Sequence, residues 1–336
     1  MVTVHLHPGQ TPAQFIAAGD ALTHAWRCHQ VKVVSPRRGV VVVTAIARDP
    51  LAKVGGWSSA PPARLLAATL GKADDGSYWT VDLRKSPHWL ITGATQSGKS
   101  TLVAAWLTEL GSQPVVLVGI DLKGGMELGL YERRLSALAT DRQGAMRILT
   151  ALVAELMARM SVCREAGARS IWDLPETERP APVVLFVDEI AELYLAASLT
   201  GRKEAVECST LLLRVAQLGA ALGVHLILAG QRFGHDLGPG ATAIRAQLGG
   251  RVCHRVHDEQ TAVMTLGDLA PDAVVVAQSI TEHEQGVAVT AVDGQWKRVR
   301  SRLVAPDFLR SHGELTADQV SAPFLRPVVE GGGTND

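Results

Sequence analysis

His88-Trp89-Leu90-Ile91-Thr92-Gly93-Ala94-Thr95-Gln96-Ser97-Gly98-Lys99-Ser100-Thr101 runs from an apolar stretch through a glycine-rich loop into Leu102-Val103-Ala104-Ala105. The loop matches the spacing G-x4-G-K-[ST] and sits where that spacing requires, after a strand and before a helix. Glycines let backbone N–H groups wrap phosphates at a helix N-terminus, where the dipole favours negative charge. On this reading Gly93, Ala94, Thr95, Gln96, Ser97, Gly98, Lys99, Ser100 and Thr101 form a nucleoside triphosphate site. Lys99 reaches the β and γ phosphates and the Ser100 hydroxyl ligates Mg2+.

Working outward from that loop, strand-like and helix-like stretches alternate: 114–120, 143–166, 183–187, 205–222 and 224–229. The alternation predicts an α/β fold, a parallel sheet covered by helices on both faces. Later short strands at 251–256, 286–292 and 295–303 extend it at an edge. Val183 to Val187 is a buried-strand pattern ending in Asp188-Glu189. There the first carboxylate suits Mg2+ and the second can polarise an attacking water. The strand from Val224 ends in Gly230-Gln231-Arg232, which places Gln231 where a polar group senses the γ-phosphate.

Upstream, Thr11-Pro12-Ala13-Gln14 reads as a capping box that starts a helix to about Cys28, flanked by β-branched runs at 2–6, 31–34 and 40–46. The expected organisation is a small α+β module over 1–60, a linker and lead-in strand over 61–85, the α/β unit that carries the glycine-rich loop over 86–312 and a tail over 313–336.

Composition narrows the class. The 33 Lys+Arg balance the 33 Asp+Glu, so affinity for a polyanion must come from a local patch. Cys28, Cys163, Cys208 and Cys253 form no CxxC or Cys/His cluster, which argues against a disulfide framework or structural zinc and fits a reducing cytoplasm. The longest apolar stretches, 39–47 and 223–230, are less than half the ~20 residues a spanning helix needs, so no transmembrane segment is expected.

Three further blocks carry a family resemblance. Asp121-Leu122-Lys123-Gly124-Gly125-Met126-Glu127-Leu128 resembles the D-P-K-x-x-E-L block of FtsK/SpoIIIE DNA translocases, and looks especially like the D-P-K-G-G-M-E-L form of actinobacterial plasmid-transfer (Tra) proteins, with Leu122 in place of proline. Gly223-Val224-His225-Leu226 through Gln231-Arg232 is similar to the family's G-I-H-L-x-x-A-T-Q-R, and Ile244-Arg245-Ala246 to Arg251 to its I-K-A-N-I-P-x-R. The resemblance spans about 87–303, and the N-terminal module also looks like the region preceding the motor in transfer proteins.

The resemblance implies a RecA-like P-loop NTPase motor that assembles as a ring, a hexamer, around double-stranded DNA and pulls it with ATP. Arg232 and Arg245 stand at positions where the family has basic pore residues, which would contact phosphates without reading bases. The family's winged-helix reader and membrane helices are not expected here: residues 304–336 are too short for the reader, and membrane attachment would need a partner protein. Arg298, Arg300 and Arg302 share one face of a predicted strand, read equally as a basic patch or a charged edge. The family's interface arginine falls on Ala220, which leaves Arg251 and Arg255 as candidate cations acting on a neighbouring subunit's ATP. The reading is thus an ATP-dependent DNA translocase of conjugative transfer. Its alternatives are a chromosome-partitioning motor of the FtsK type, a related secretion ATPase moving protein, and a nucleotide-dependent scaffold without turnover.

Overall fold

The computed structural model describes residues 1–53, 64–195, 198–234, 237–267, 269–319, 322 and 325. The chain divides into two compact units, Met1–Lys53 with Lys72–Ser77, and Val54–Gly71 with Tyr78–Asp336.

In the first unit, β1 (Val2–His5), β2 (Gln30–Arg37) and β3 (Val40–Ile46) form an antiparallel sheet in the order β1-β3-β2. Val31, Val41 and Val43 build its core with Phe15 and Leu22 from the helices. The helix expected over 12–28 is two helices, α1 (Pro12–Ala17) and α2 (Gly19–Trp26). Gly19, at the junction, is buried, and its backbone lies close to the Val31 carbonyl and the Val33 side chain. Thr11 makes no side-chain cap, so the expected capping box does not form, although Pro12 does open the helix.

The remaining strands are β4 (Ala67–Ala73), β5 (Tyr78–Asp82), β6 (His88–Thr92), β7 (Val116–Asp121), β8 (Ala137–Ala139), β9 (Val183–Asp188), β10 (Val224–Gly230), β11 (Gly250–His254), β12 (Val287–Val292) and β13 (Gln295–Ser301). Among the described residues they form a ten-stranded sheet ordered β5-β4-β13-β12-β11-β6-β10-β9-β7-β8. From β8 to β11 every pairing is parallel, while β12 and β13 return antiparallel. All residues of β6, β9 and β10 are buried, as in a sheet covered on both faces. Part of the stretch read as linker and lead-in strand, 61–85, is the β4–β5 hairpin at the sheet's edge; its first residues, 61–63, and the end of the module read over 1–60, residues 54–60, lie outside the described residues.

The covering helices include α3 (Lys99–Gly111), α4 (Arg142–Glu165), α5 (Leu199–Leu222), α6 (Ala241–Gln247), α7 (Glu259–Leu266), α8 (Pro271–Gln278) and α9 (Pro306–Leu315). By length and composition α5 could cross a membrane. However, its Cys208, Leu212, Val215 and Ala216 pack into the same core as Leu149 and Leu152 of α4, the burial of a core helix.

The strand order positions the site. Because β10 lies between β6 and β9, the carboxyl ends of β6, β10, β9 and β7 stand side by side. In open α/β sheets the crevice outside those ends is where ligands bind.

Candidate nucleotide site

The loop after β6 tightens into α3 at Gly98, whose φ of 114° is left-handed. A Cβ there would fall 2.6 Å from Gly286 Cα, so no other residue fits. The Lys99 ammonium donates to the Gly93 and Ala94 carbonyls at 2.6 and 3.0 Å, which holds it at the mouth of the loop. Burial lowers its pKa, opposed by the charges of Glu189 and Asp188. Ser100 is exposed on the first helical turn.

The loop is braced from beneath by residues outside the motif. The Ala94 N–H donates to the Arg255 carbonyl at 2.8 Å, and the Gly286 N–H to the Ser97 carbonyl at 2.9 Å. His254 is fully buried, with Nδ1 3.1 Å from the Val287 carbonyl, and burial pushes its pKa down to about 4. It is a neutral packing residue rather than a ligand.

Asp188 ends β9 and lies opposite Asp121 of β7 in the sheet register. Burial, then the charges of Asp121 and Glu127, raise its pKa to about 6. Asp121 is fully buried and accepts the backbone N–H groups of Lys123, Glu127 and Leu128 at 3.2, 2.9 and 3.1 Å. One carboxylate thereby shapes the whole 121–128 block. Glu189 adopts φ 57°, ψ 73°, a backbone state costly for a non-glycine residue and typical of functional sites. Its Oε2 lies 3.0 Å from Lys123 Nζ, and its Oε1 accepts the Gln231 N–H at 3.2 Å. Gln231 thus joins the site through its backbone, with its side chain exposed.

A hard cation suits this donor set. Asp188 supplies a carboxylate whose charge is penalised by burial and by neighbouring acids, and Ser100 offers a hydroxyl. Among the described residues no group of three or more His, Cys, Asp or Glu could hold a metal alone. A Mg2+ sharing its shell with phosphates and water needs only one or two protein oxygens.

The arginines separate. Arg251, read from sequence as a candidate trans cation, is 2% exposed and donates to the carbonyls of Leu248, Arg245 and Thr265, at 2.6, 2.6 and 3.4 Å. A guanidinium committed to backbone in the interior cannot reach a neighbouring subunit, and that expectation is corrected. Arg255 is half-buried and donates to the Thr95 carbonyl of its own loop at 3.4 Å. Arg232 bonds Gln260 at 2.8 Å, and Arg245 is half-buried on α6. The basic strand is consumed internally: Arg298 pairs with Glu284, Arg300 donates to the Gln285 carbonyl, and Arg302 pairs with Glu109 at 3.0 Å. Lys123, Asp121 and Glu127 lie in the quoted block, but nothing in the sequence alone marks them as site residues. Only the block as a whole carries a signal, its position at the end of a strand.

Fold and site together define a P-loop ATPase, with the phosphate loop, the Asp188-Glu189 pair and the 121–128 block on one rim of a parallel sheet. Residues 60–176 and 172–235 match the FtsK/SpoIIIE family, and residues 1–47 match the actinomycete conjugal transfer protein N-terminal domain. A sporulation regulatory protein of Streptomyces azureus is 43% identical over 81% of this chain and 90% of its own. Transfer protein TraSA of Streptomyces ambofaciens is 39% identical over 98% of this chain and 83% of its own. Among solved structures, the pCW3 conjugation coupling protein TcpA, in monomer form with ATPγS, superposes with a TM-score of 0.70 at 21% identity, covering 91% of this chain and 87% of that one. The chain belongs to the FtsK/SpoIIIE family.

Proposed function

We propose that this chain is an ATP-driven translocase of double-stranded DNA serving conjugative transfer, working as a homohexameric ring in the cytoplasm and recruited to the membrane by a partner protein. The observation that carries the reading is the near full-length match to a transfer protein in a chain whose site retains Lys99, Ser100, Asp188 and Glu189. Lys99 turns from its loop carbonyls to the β and γ phosphates of ATP, and the loop N–H groups hold the remaining oxygens. Ser100 and Asp188 would hold Mg2+, which would supply positive charge against the phosphates. Glu189 takes a proton from the attacking water. Arg232 and Arg245 face DNA phosphates, so binding is salt-dependent and indifferent to sequence.

The test is ATP hydrolysis with and without linear duplex DNA, together with displacement of a third strand annealed to that duplex. DNA-stimulated hydrolysis with strand displacement is the expected result. Hydrolysis indifferent to DNA but raised by a protein substrate would overturn the reading in favour of a secretion motor.

A further inference from the structure

Lys123 has no part in the chemistry above, yet it holds the residue on which that chemistry depends. Its ammonium sits 3.0 Å from Glu189 Oε2 while the Gln231 N–H occupies Oε1. Both oxygens of the base are therefore engaged. A carboxylate oxygen accepting a charge-assisted hydrogen bond is a poorer acceptor for a proton from water.

The pairing is unequal in a way that suits a release. The Glu189 side chain is 7% exposed and that of Lys123 37%, so the lysine can swing into solvent while the glutamate stays. The loop that carries Lys123 is pinned at its base by the three N–H bonds to Asp121. At its tip, Gly124 and Gly125 are both left-handed and Met126 is 72% exposed. Departure of Lys123 thus needs only its side chain to rotate. The left-handed backbone of Glu189 sets its carboxylate between Lys123 and Gln231.

The geometry points to Lys123 as a positioning residue, a latch that keeps Glu189 from the attacking water and suppresses ATP hydrolysis in subunits not engaged with DNA. The inference rests on the reading of Glu189 as the base, and the experiment separates the two. Steady-state hydrolysis without DNA is measured for the parent, Lys123→Met, Lys123→Gln, Glu189→Gln and the double variant Lys123→Met/Glu189→Gln. Binding of a fluorescent ATP analogue is followed in parallel to report an intact site. Either lysine variant should raise DNA-free turnover about tenfold, the scale of one part-exposed charged hydrogen bond, with analogue affinity within about twofold of the parent. The ratio of DNA-stimulated to DNA-free turnover should shrink accordingly. Lys123→Arg, which restores a cation within reach, should pull the DNA-free rate back down. In the Glu189→Gln background, Lys123→Met should change nothing. DNA-free turnover at or below the parent's in both Lys123→Met and Lys123→Gln overturns the latch while leaving Glu189 as the base. A Glu189→Gln protein that hydrolyses at the parent's rate overturns the base assignment itself, and the latch with it.

Discussion

Arg251 donates from its guanidinium to the backbone carbonyl of Arg245 across 2.6 Å, which ties the last turn of α6 to β11. The same side chain caps Leu248 and reaches Thr265, so it satisfies carbonyls at a helix end that burial hides from water. Arg251→Ala would remove these donors, leaving the Arg245 carbonyl its bond from the Leu248 N–H, and is expected to cost about 3 kcal/mol, the scale of several lost charged hydrogen bonds. Urea denaturation should show that loss with nucleotide absent. A variant as stable as the parent but slow in turnover would return Arg251 to the chemistry.

Lys99 and Glu189 should separate binding from hydrolysis. Lys99→Ala removes the cation facing the phosphates and is expected to abolish productive ATP binding. Glu189→Gln keeps size and the hydrogen bond to Gln231 but removes the base, and should lower turnover by about 10^2-fold or more with ATP still bound. Analogue binding beside single-turnover hydrolysis checks both.

Asp188 predicts a trade between stability and function. Its pKa, raised to about 6 from 3.8, means the native protein binds more protons than the unfolded chain between those values. Stability from this group therefore rises as pH falls through 6, is complete below 3.8, and is penalised above 6. Asp188→Asn should accordingly stabilise the protein above pH 6 in chelator, by on the order of 2–3 kcal/mol, with the gain fading toward pH 4. The variant should also lose Mg2+-dependent hydrolysis. Urea midpoints at pH 8 and pH 4.5 provide the check; an equal gain at both would place its origin elsewhere.

Much of the motor was legible because its signals are local. The strand–loop–helix around Gly93 to Lys99 and the runs ending at Asp188 and Gly230 need only short-range pattern, and each element forms within a few residues of its expected bounds. What escaped depends on contacts between distant segments. Gly71 weakens the strand signal of β4, yet a Cβ there would lie 1.9 Å from the Arg300 carbonyl, so the glycine exists to let β13 approach. Arg251 is a candidate from sequence only because the family's interface arginine falls on Ala220; that β11 is buried along its whole length depends on the sheet around it. The pairing of Lys123 with Glu189 follows from the adjacency of β7 and β9, which no local pattern encodes.

The last prediction concerns the cation missing from position 220. Ala220 is the position on which the family resemblance puts the interface arginine, and its carbonyl accepts from the Trp172 indole at 3.3 Å. With Arg251 committed to the interior, Arg255 is the candidate that remains of the pair read from sequence. Its backbone carbonyl holds the Ala94 N–H and its guanidinium touches the Thr95 carbonyl, so both ends of the residue are tied to the phosphate loop of its own subunit. A cation placed there would act in cis on the charge that develops at the γ-phosphate. Arg255→Ala should then lower turnover by about 10^2-fold or more, the scale of a lost transition-state charge, while ring assembly is retained. Mixing experiments distinguish the geometry. In rings that combine Arg255→Ala with Glu189→Gln subunits, a trans cation would restore interfaces where an intact Glu189 meets a neighbour's intact Arg255. A cis cation leaves every site lacking one group or the other, and no recovery is expected at any mixing ratio. Partial recovery near equal proportions would show instead that Arg255 leaves Thr95 and crosses to the neighbouring subunit when the ring closes.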